Sequence, residues 1–232
     1  MSSDSAAGGG AAVNARYCAP FLAALPVTGA AISSLGSFMA PETICASDIN
    51  AARLDELQFD LGEGPCWDAS RTRRPVLAAD LRTRPDHTWP AFVDAIQGMP
   101  IRGLVAYPLL LGPLSVGVVD MYSSSALAFG EDQNHEAQLL ASKAARSVAR
   151  EIFSRITADP DAPAEPESEY SRRHIHQATG MVLAQLNVSA ADASLILRAH
   201  AFATGRSLSD VAQDVIEWKL DFARDLDESD RP

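Results

Sequence analysis

The sequence predicts an α+β domain, with a central antiparallel sheet and flanking helices, followed by an all-α domain of three short helices. Three observations carry this expectation. Residues 101–111 and 114–122 are long apolar runs separated only by Gly112-Pro113, the signature of two strands joined by a tight hairpin. Residues 168–222 repeat apolar side chains at helical spacing between capping signals. Residues 159–167 lie between the two regions. They hold three prolines and four acids and no base, a composition that excludes a helix and favours an extended, solvated linker.

The remaining elements follow in chain order. Residues 16–25 read as a helix and 28–35 as a small, apolar strand. Residues 41–47 are a weaker strand, with Ile44 and Cys45 its apolar part. Ile49, Ala52, Leu54, Leu57 and Phe59 recur at roughly helical spacing and predict a helix over 49–59. Gly62-Glu-Gly-Pro-Cys66 cannot continue it. A short helix over 66–71, a strand over 75–80, a polar loop over 82–87 and a helix over 89–98 lead to the hairpin. Phe129-Gly-Glu-Asp132 then opens a long helix to about residue 156, with Leu140, Ala144, Val148, Ile152 and Ile156 along one stripe. The domain plan is a disordered tail over 1–11, the α+β domain over 12–158, the linker over 159–167, the three-helix domain over 168–224 and an acidic tail over 225–232.

In the last domain, helix one runs over 168–186 and buries Ile175, Ala178 or Thr179, Val182 and Leu186. Ser189-Ala-Ala-Asp192 forms a capping box with Asp in place of Glu, and helix two runs on to Thr204 and stops at Gly205. It is apolar nearly all round, as expected for a helix sandwiched between others. Ser207-Leu-Ser-Asp210 repeats the cap. Helix three then places Leu208, Val211, Val215, Trp218 and Phe222 on one stripe.

Composition narrows the function classes. Of 232 residues, 47% are hydrophobic and 21% charged, enough for a folded core. No apolar run reaches the ~18–20 residues of a membrane span, and the N-terminus does not read as a secretory signal. Three cysteines without a CxxC suggest a reducing cytoplasm rather than a disulfide framework. The net charge of −11 argues against a generally sticky nucleic-acid binder, but residues 168–224 hold six bases and six acids and are the least acidic part. There is no P-loop, nucleophile elbow, HExxH or dinucleotide fingerprint. His174 and His176 point apart at i,i+2 spacing and do not suggest a metal site. No catalytic residue and no cofactor is assigned.

The phrases GEGPCWDA, RPVLAADL, the Trp89 helix, GLVAYPLLL with LSVGVVDMYS, and FGEDQ occur in that order. Together, over about residues 12–156, they resemble the GAF domain of actinobacterial regulators. The resemblance implies a ligand pocket on one face of the sheet and terminal helices on the other that often dimerise. Candidate pocket residues are Cys66, Trp67, Asp80, Trp89, Phe92 and Tyr107. Cys66, after Gly-Pro at a helix start, reads either as a reactive thiol or as a small buried residue, and the second reading is preferred.

Ala178-Thr-Gly180, Ala193, Leu197-Arg198, Ala201, Leu208 and Val211-Ala212 resemble the ANTAR domain, the RNA-binding module of antitermination regulators. The resemblance implies a homodimer that binds paired stem-loops in nascent RNA. Thr179 departs from the pattern, since many members carry Lys there. Arg172, Arg173, His176, Gly180, Arg198 and Arg206 are the candidate RNA-binding residues, because guanidinium groups fork onto phosphate or stack on unpaired bases. His200 is a secondary donor. Each also has a plainer reading. The small residues pack helices closely, Arg172 and Arg173 form a solvated face, and Arg198 pairs with Asp192 or Asp214.

The leading reading is therefore a cytoplasmic regulator that senses an unknown small ligand or protein and binds RNA, with no membrane contact. The alternatives are a cysteine-dependent reductase of the GAF type, or a module that binds protein or DNA and has no RNA activity.

Overall fold

The computed structural model describes residues 16–36, 39–83, 88–157 and 172–223. The expected tails, the linker over 159–167 and the end of the loop over 82–87 lie outside the described residues. The chain divides into two compact units, Met1–Tyr170 and Ser171–Pro232.

The first unit is built on five antiparallel strands: β1 (Gly29–Gly36), β2 (Met39–Ala46), β3 (Val76–Ala78), β4 (Gly103–Leu111) and β5 (Leu114–Ser123). Their order in the sheet is β2-β1-β5-β4-β3. The central β4–β5 hairpin turns at Gly112 (φ 57°), with Leu111 opposite Leu114, so the Gly-Pro turn is where the sequence places it. Strand alternation sorts side chains onto two faces. On one face Val105, Tyr107, Leu109, Val119, Met121 and Ile32 pack against α1 (Ala19–Ala24) and α5 (Glu131–Thr157). On the other, Leu104, Ala106, Val118 and Tyr122 meet α2 (Ile49–Leu61), α3 (Pro65–Thr72) and α4 (Pro90–Ala95). The sheet is thus a middle layer between two helical layers.

Two close approaches fix the sheet. At Gly117 a Cβ would meet the Ser33 carbonyl oxygen of β1 at 2.2 Å, so only glycine lets β5 lie this near its neighbour. The second is covalent and corrects the reading of the cysteines. Cys18 and Cys45 form a disulfide, with Cα atoms 6.5 Å apart, that ties the start of α1 to β2. Their separation of 27 residues hides the pairing from any local motif.

The second unit is three helices: α6 (Arg173–Leu186), α7 (Ala190–Thr204) and α8 (Leu208–Ile216). Its core is Ile175, Ala178, Val182, Ala193, Leu197, Ala201, Leu208, Val211, Ala212, Val215 and Phe222. The expected caps form. Ser189 Oγ accepts the Asp192 N–H (3.1 Å) and donates to Asp192 Oδ2 (2.6 Å), and Ser207 Oγ accepts the Asp210 N–H (3.0 Å). Gly205 (φ 66°) closes α7 in the left-handed conformation that favours glycine.

Two expectations fail here. The third helix stops at Ile216 instead of continuing to Phe222. Trp218 takes φ 57°, and the N–H groups of Lys219 and Leu220 both donate to the Asp214 carbonyl, which closes the last turn. Trp218 is left 67% exposed, and Phe222 re-enters the core after the turn. The middle helix is not sandwiched all round either. Leu195 (64% exposed) and Phe202 (73%) lie on an outer stripe of α7, because two flanking helices cover only one side of it.

Candidate functional site

In the second unit, α6 buries Ile175, Ala178 and Val182 and turns Arg173, His176, Gln177 and Gly180 outward, all exposed. At 100° per residue these four share one face. A Cβ at Gly180 would meet nothing within 4 Å, so the backbone on this face is open to close approach. Arg172 stands at the N-cap, half-buried. Partial desolvation, then the charges of Arg172 and His174, hold the His176 pKa below the usual value. The ring is therefore neutral near pH 7 and offers one donor and one acceptor. His174 points elsewhere, with Nε2 2.7 Å from Ser209 Oγ of α8.

Arg198 and Arg206 are not on that face. Arg198 is half-buried on α7. Arg206 follows the Gly205 cap and pairs with Asp214 at 2.7 Å. Of the two acids considered for Arg198, Asp214 pairs with Arg206 and Asp192 accepts from Ser189 Oγ. Thr179 is half-buried on the flank of α6, and its Oγ1 donates to the Ile175 carbonyl at 2.7 Å. The structure thus unites Arg173, His176 and Gly180 on one face of α6, keeps Arg172 at their edge and carries Arg198 and Arg206 on other elements.

In the first unit, four of the six pocket candidates gather around α3 and α4. Cys66 is fully buried, and its N–H donates to Gln58 Oε1 at 2.8 Å. Burial, then the nearby Asp120 and Asp55, push its thiol pKa well above the ordinary value, which disfavours the thiolate and matches the small-buried-residue reading. Trp67 Nε1 donates to the Gln58 carbonyl (2.7 Å) and Trp89 Nε1 to Asp68 Oδ2 (3.0 Å). Phe92 is fully buried, and its N–H donates to Glu63 Oε1 at 2.7 Å. Asp80 accepts two bonds from the Arg102 guanidinium, at 2.7 and 3.0 Å, and these hold its carboxyl below the usual range. Tyr107 lies on the opposite face of the sheet, donates to Asn134 Oδ1 of α5 at 2.5 Å and has its pKa pushed up to about 12 by burial. It is not brought together with the others.

A polar group that sequence reasoning missed lies beneath the same helices. Asp55 of α2 is fully buried and accepts bonds from Ser33 Oγ (2.5 Å) and Thr43 Oγ1. Asp120 of β5 is 6% exposed, and its Oδ2 has no hydrogen-bond partner. Burial, then the Asp55 charge, raise its pKa well above the carboxylate range. Burial and the neighbouring Asp55 charge both favour the protonated form of the Asp120 carboxyl. The signal was present: Asp120 interrupts the apolar run of β5.

A family model described as GAF domain matches residues 22–149, more than half of the chain, and one described as ANTAR domain matches residues 170–216. The chain belongs to the GAF domain family and carries an ANTAR domain behind it. This GAF–ANTAR architecture is that of a sensor module joined to an RNA-binding antitermination module, a regulatory rather than an enzymatic combination.

Solved structures similar to the chain include two GAF domains and a reductase. The GAF domain of an Acinetobacter phosphoenolpyruvate-protein phosphotransferase is 12% identical, with 61% of this chain and 81% of that one covered and a TM-score of 0.46. The corresponding domain from Coxiella burnetii is 16% identical, with coverage of 59% and 78% and a TM-score of 0.45. A type II free methionine-R-sulfoxide reductase from Thermoplasma acidophilum is 15% identical, with coverage of 62% and 92% and a TM-score of 0.40. No curated protein matches. Among the described residues of this GAF–ANTAR chain, no single helix is long and apolar enough to cross a membrane.

Proposed function

We propose that this chain binds paired hairpins in nascent RNA through its ANTAR domain, promotes antitermination, and is controlled by a small ligand or protein acting on the GAF domain. The observation that carries this reading is the ANTAR match over a three-helix unit whose α6 turns Arg173, His176 and the bare backbone of Gly180 outward together. Guanidinium and neutral imidazole donors beside an unobstructed backbone suit phosphate oxygens and the edges of unpaired loop bases. Two hairpins call for two such modules, so the active form is a homodimer acting in the cytoplasm. The ligand side of the GAF domain is the face bearing Cys66, Trp67, Trp89 and Phe92, with Asp80 at its margin.

A gel-shift titration of the full chain against RNA with two adjacent hairpins tests the reading. Binding should weaken in Arg172→Ala, Arg173→Ala and Arg198→Ala. No shift at low salt, with or without cell extract as a source of ligand, would refute it. The cysteine-reductase alternative is disfavoured, because Cys18 and Cys45 are bonded to each other on the α1–α5 side while Cys66 is buried on the other.

A further inference from the structure

The outer side of α7 is apolar and bare. Ala191, Leu195, Ala199 and Phe202 follow one another at spacings of four, four and three residues, and all four are exposed. At 100° per residue they lie within about 80° of arc, on one stripe about 17 Å long. The opposite side of the helix carries Ala193, Leu197 and Ala201 into the core of the unit. α6 and α8 cover that side only, so a helix whose composition calls for burial all round is half provided for. Single exposed apolar residues need no explanation, but a leucine and a phenylalanine in register on one helix face do. Opposite charges mark the two ends of the stripe. Asp192 stands exposed in the first turn of α7, and Arg206 stands exposed just past the Gly205 cap. Arg206 bonds Asp214 at 2.7 Å and still keeps its side chain 40% exposed, with guanidinium donors to spare for a second acid.

We propose that this stripe is an isologous contact between the ANTAR domains of two copies of the chain, with the two α7 helices antiparallel. It gives a surface to the homodimer of the proposed function, and it does not depend on RNA being the ligand. Three observations select a second copy in this orientation. A two-fold axis between residues 198 and 199 sets Leu195 of each copy against Phe202 of the other, so both large side chains are covered at once. The same operation brings Asp192 of each copy to Arg206 of the other and opposes the helix dipoles, whereas a parallel pairing sets acid against acid and base against base. Ala199 lies beside the axis and carries no bulk, so the backbones approach closely there. None of the outward residues of α6 belongs to the stripe, so each copy keeps its Arg173, His176 and Gly180 face for a hairpin. One helix crossing covers less than the ~1,200 Å² of a lasting interface, so the contact is concentration-dependent by itself and strengthens when two copies are held together.

The test is disulfide crosslinking of the full chain under mild oxidation, without RNA, over rising protein concentration. Cys18 and Cys45 are already bonded and Cys66 is fully buried, so an introduced surface thiol reacts alone. Bridged Cα atoms lie within about 7 Å of each other. Ala199→Cys should therefore crosslink to itself. Leu195→Cys should crosslink to Phe202→Cys in a mixture but neither variant to itself, since like residues then stand about 10 Å apart along the axis. Gln177→Cys, on the exposed face of α6, is the control and should stay uncrosslinked. Adding Leu195→Ser/Phe202→Ser to the Ala199→Cys chain should slow its crosslinking by roughly tenfold or more. Circular dichroism should stay unchanged, because both side chains are exposed. Crosslinking of Ala199→Cys no faster than the control overturns the proposal. So does a pattern in which Leu195→Cys and Phe202→Cys each crosslink to themselves, the mark of parallel helices. An Ala199→Cys thiol shielded from maleimide in a chain that sediments as a monomer would show the stripe covered by the chain itself. Binding to phosphatidylglycerol vesicles that Leu195→Ser/Phe202→Ser abolishes, without crosslinks, would assign the stripe to lipid. Either result also overturns the proposal. A gel shift on the same samples keeps the two readings apart: crosslinks without RNA binding remove the RNA reading and leave the contact, and RNA binding without crosslinks does the reverse.

Discussion

At the residue scale the most consequential side chain is one that local reading passed over. Asp120 is buried, raised in pKa, and faces Asp55 of α2 and Cys66 of α3. Because its folded pKa lies above the unfolded value, its proton stabilises the fold fully below the unfolded pKa, and that stability is lost as pH rises through the folded pKa. The Asp120→Asn variant keeps the neutral group at every pH. We expect melting curves between pH 4 and 8 to show the wild-type GAF domain losing stability with rising pH, at up to about 1.4 kcal/mol per pH unit, and the variant losing less. Parallel curves would show that Asp120 carries no extra proton. A second residue bears on affinity. Thr179 is half-buried but lies beside the exposed face of α6, so Thr179→Lys can extend an amine to the surface along its flexible stem. It should raise the salt slope of RNA binding by about 0.7–0.9, one added phosphate contact. The composition of β5 pointed to a strand but not to what its lone acid meets, since Ser33, Thr43 and Asp55 converge on that layer from three other elements.

At the element scale, periodicity located every strand and helix among the described residues, and the misjudged ends have physical causes. The α8 stripe looked continuous to Phe222 because Val215, Trp218 and Phe222 keep helical spacing. The backbone instead closes on the Asp214 carbonyl, and Phe222 reaches the core from beyond the turn, beside His200 at 5.3 Å between ring centroids. The α7 pattern looked buried all round because composition does not reveal how many neighbours a helix has. Caps were the most legible signals. Ser189→Ala and Ser207→Ala each remove a side-chain acceptor for an orphan N–H, and each should cost the ANTAR domain about 1 kcal/mol in urea unfolding. Gly117→Ala belongs to this scale as well, because its Cβ collides with the backbone of the adjoining strand rather than with a side chain that could move. We expect a loss of about 1–3 kcal/mol from the GAF domain.

At the scale of the whole molecule, two units with separate cores share one chain, and a perturbation confined to one core should leave the other intact. The disulfide gives a clean way to examine this. Cys18 and Cys45 both lie in the GAF core, and the bond closes a loop of 27 residues that spans α1 and β1 and holds the start of α1 to β2. Closing such a loop removes unfolded-state entropy worth roughly 3–4 kcal/mol in the chain-entropy treatment. Sequence reading took three sparse cysteines as a sign of a reducing cytoplasm rather than of a disulfide framework, since the pairing depends on α1 and β2 meeting in space rather than on any motif. Reduction, or Cys18→Ala with Cys45→Ala, should lower the GAF unfolding midpoint by an amount of that order. The ANTAR transition, followed by Trp218 fluorescence in a chain with Trp67 and Trp89 replaced by Phe and compared before and after reduction, should stay where it was. A matching shift of both transitions would show that the two cores unfold as one cooperative body, and signal transfer between them would then need no separate coupling element.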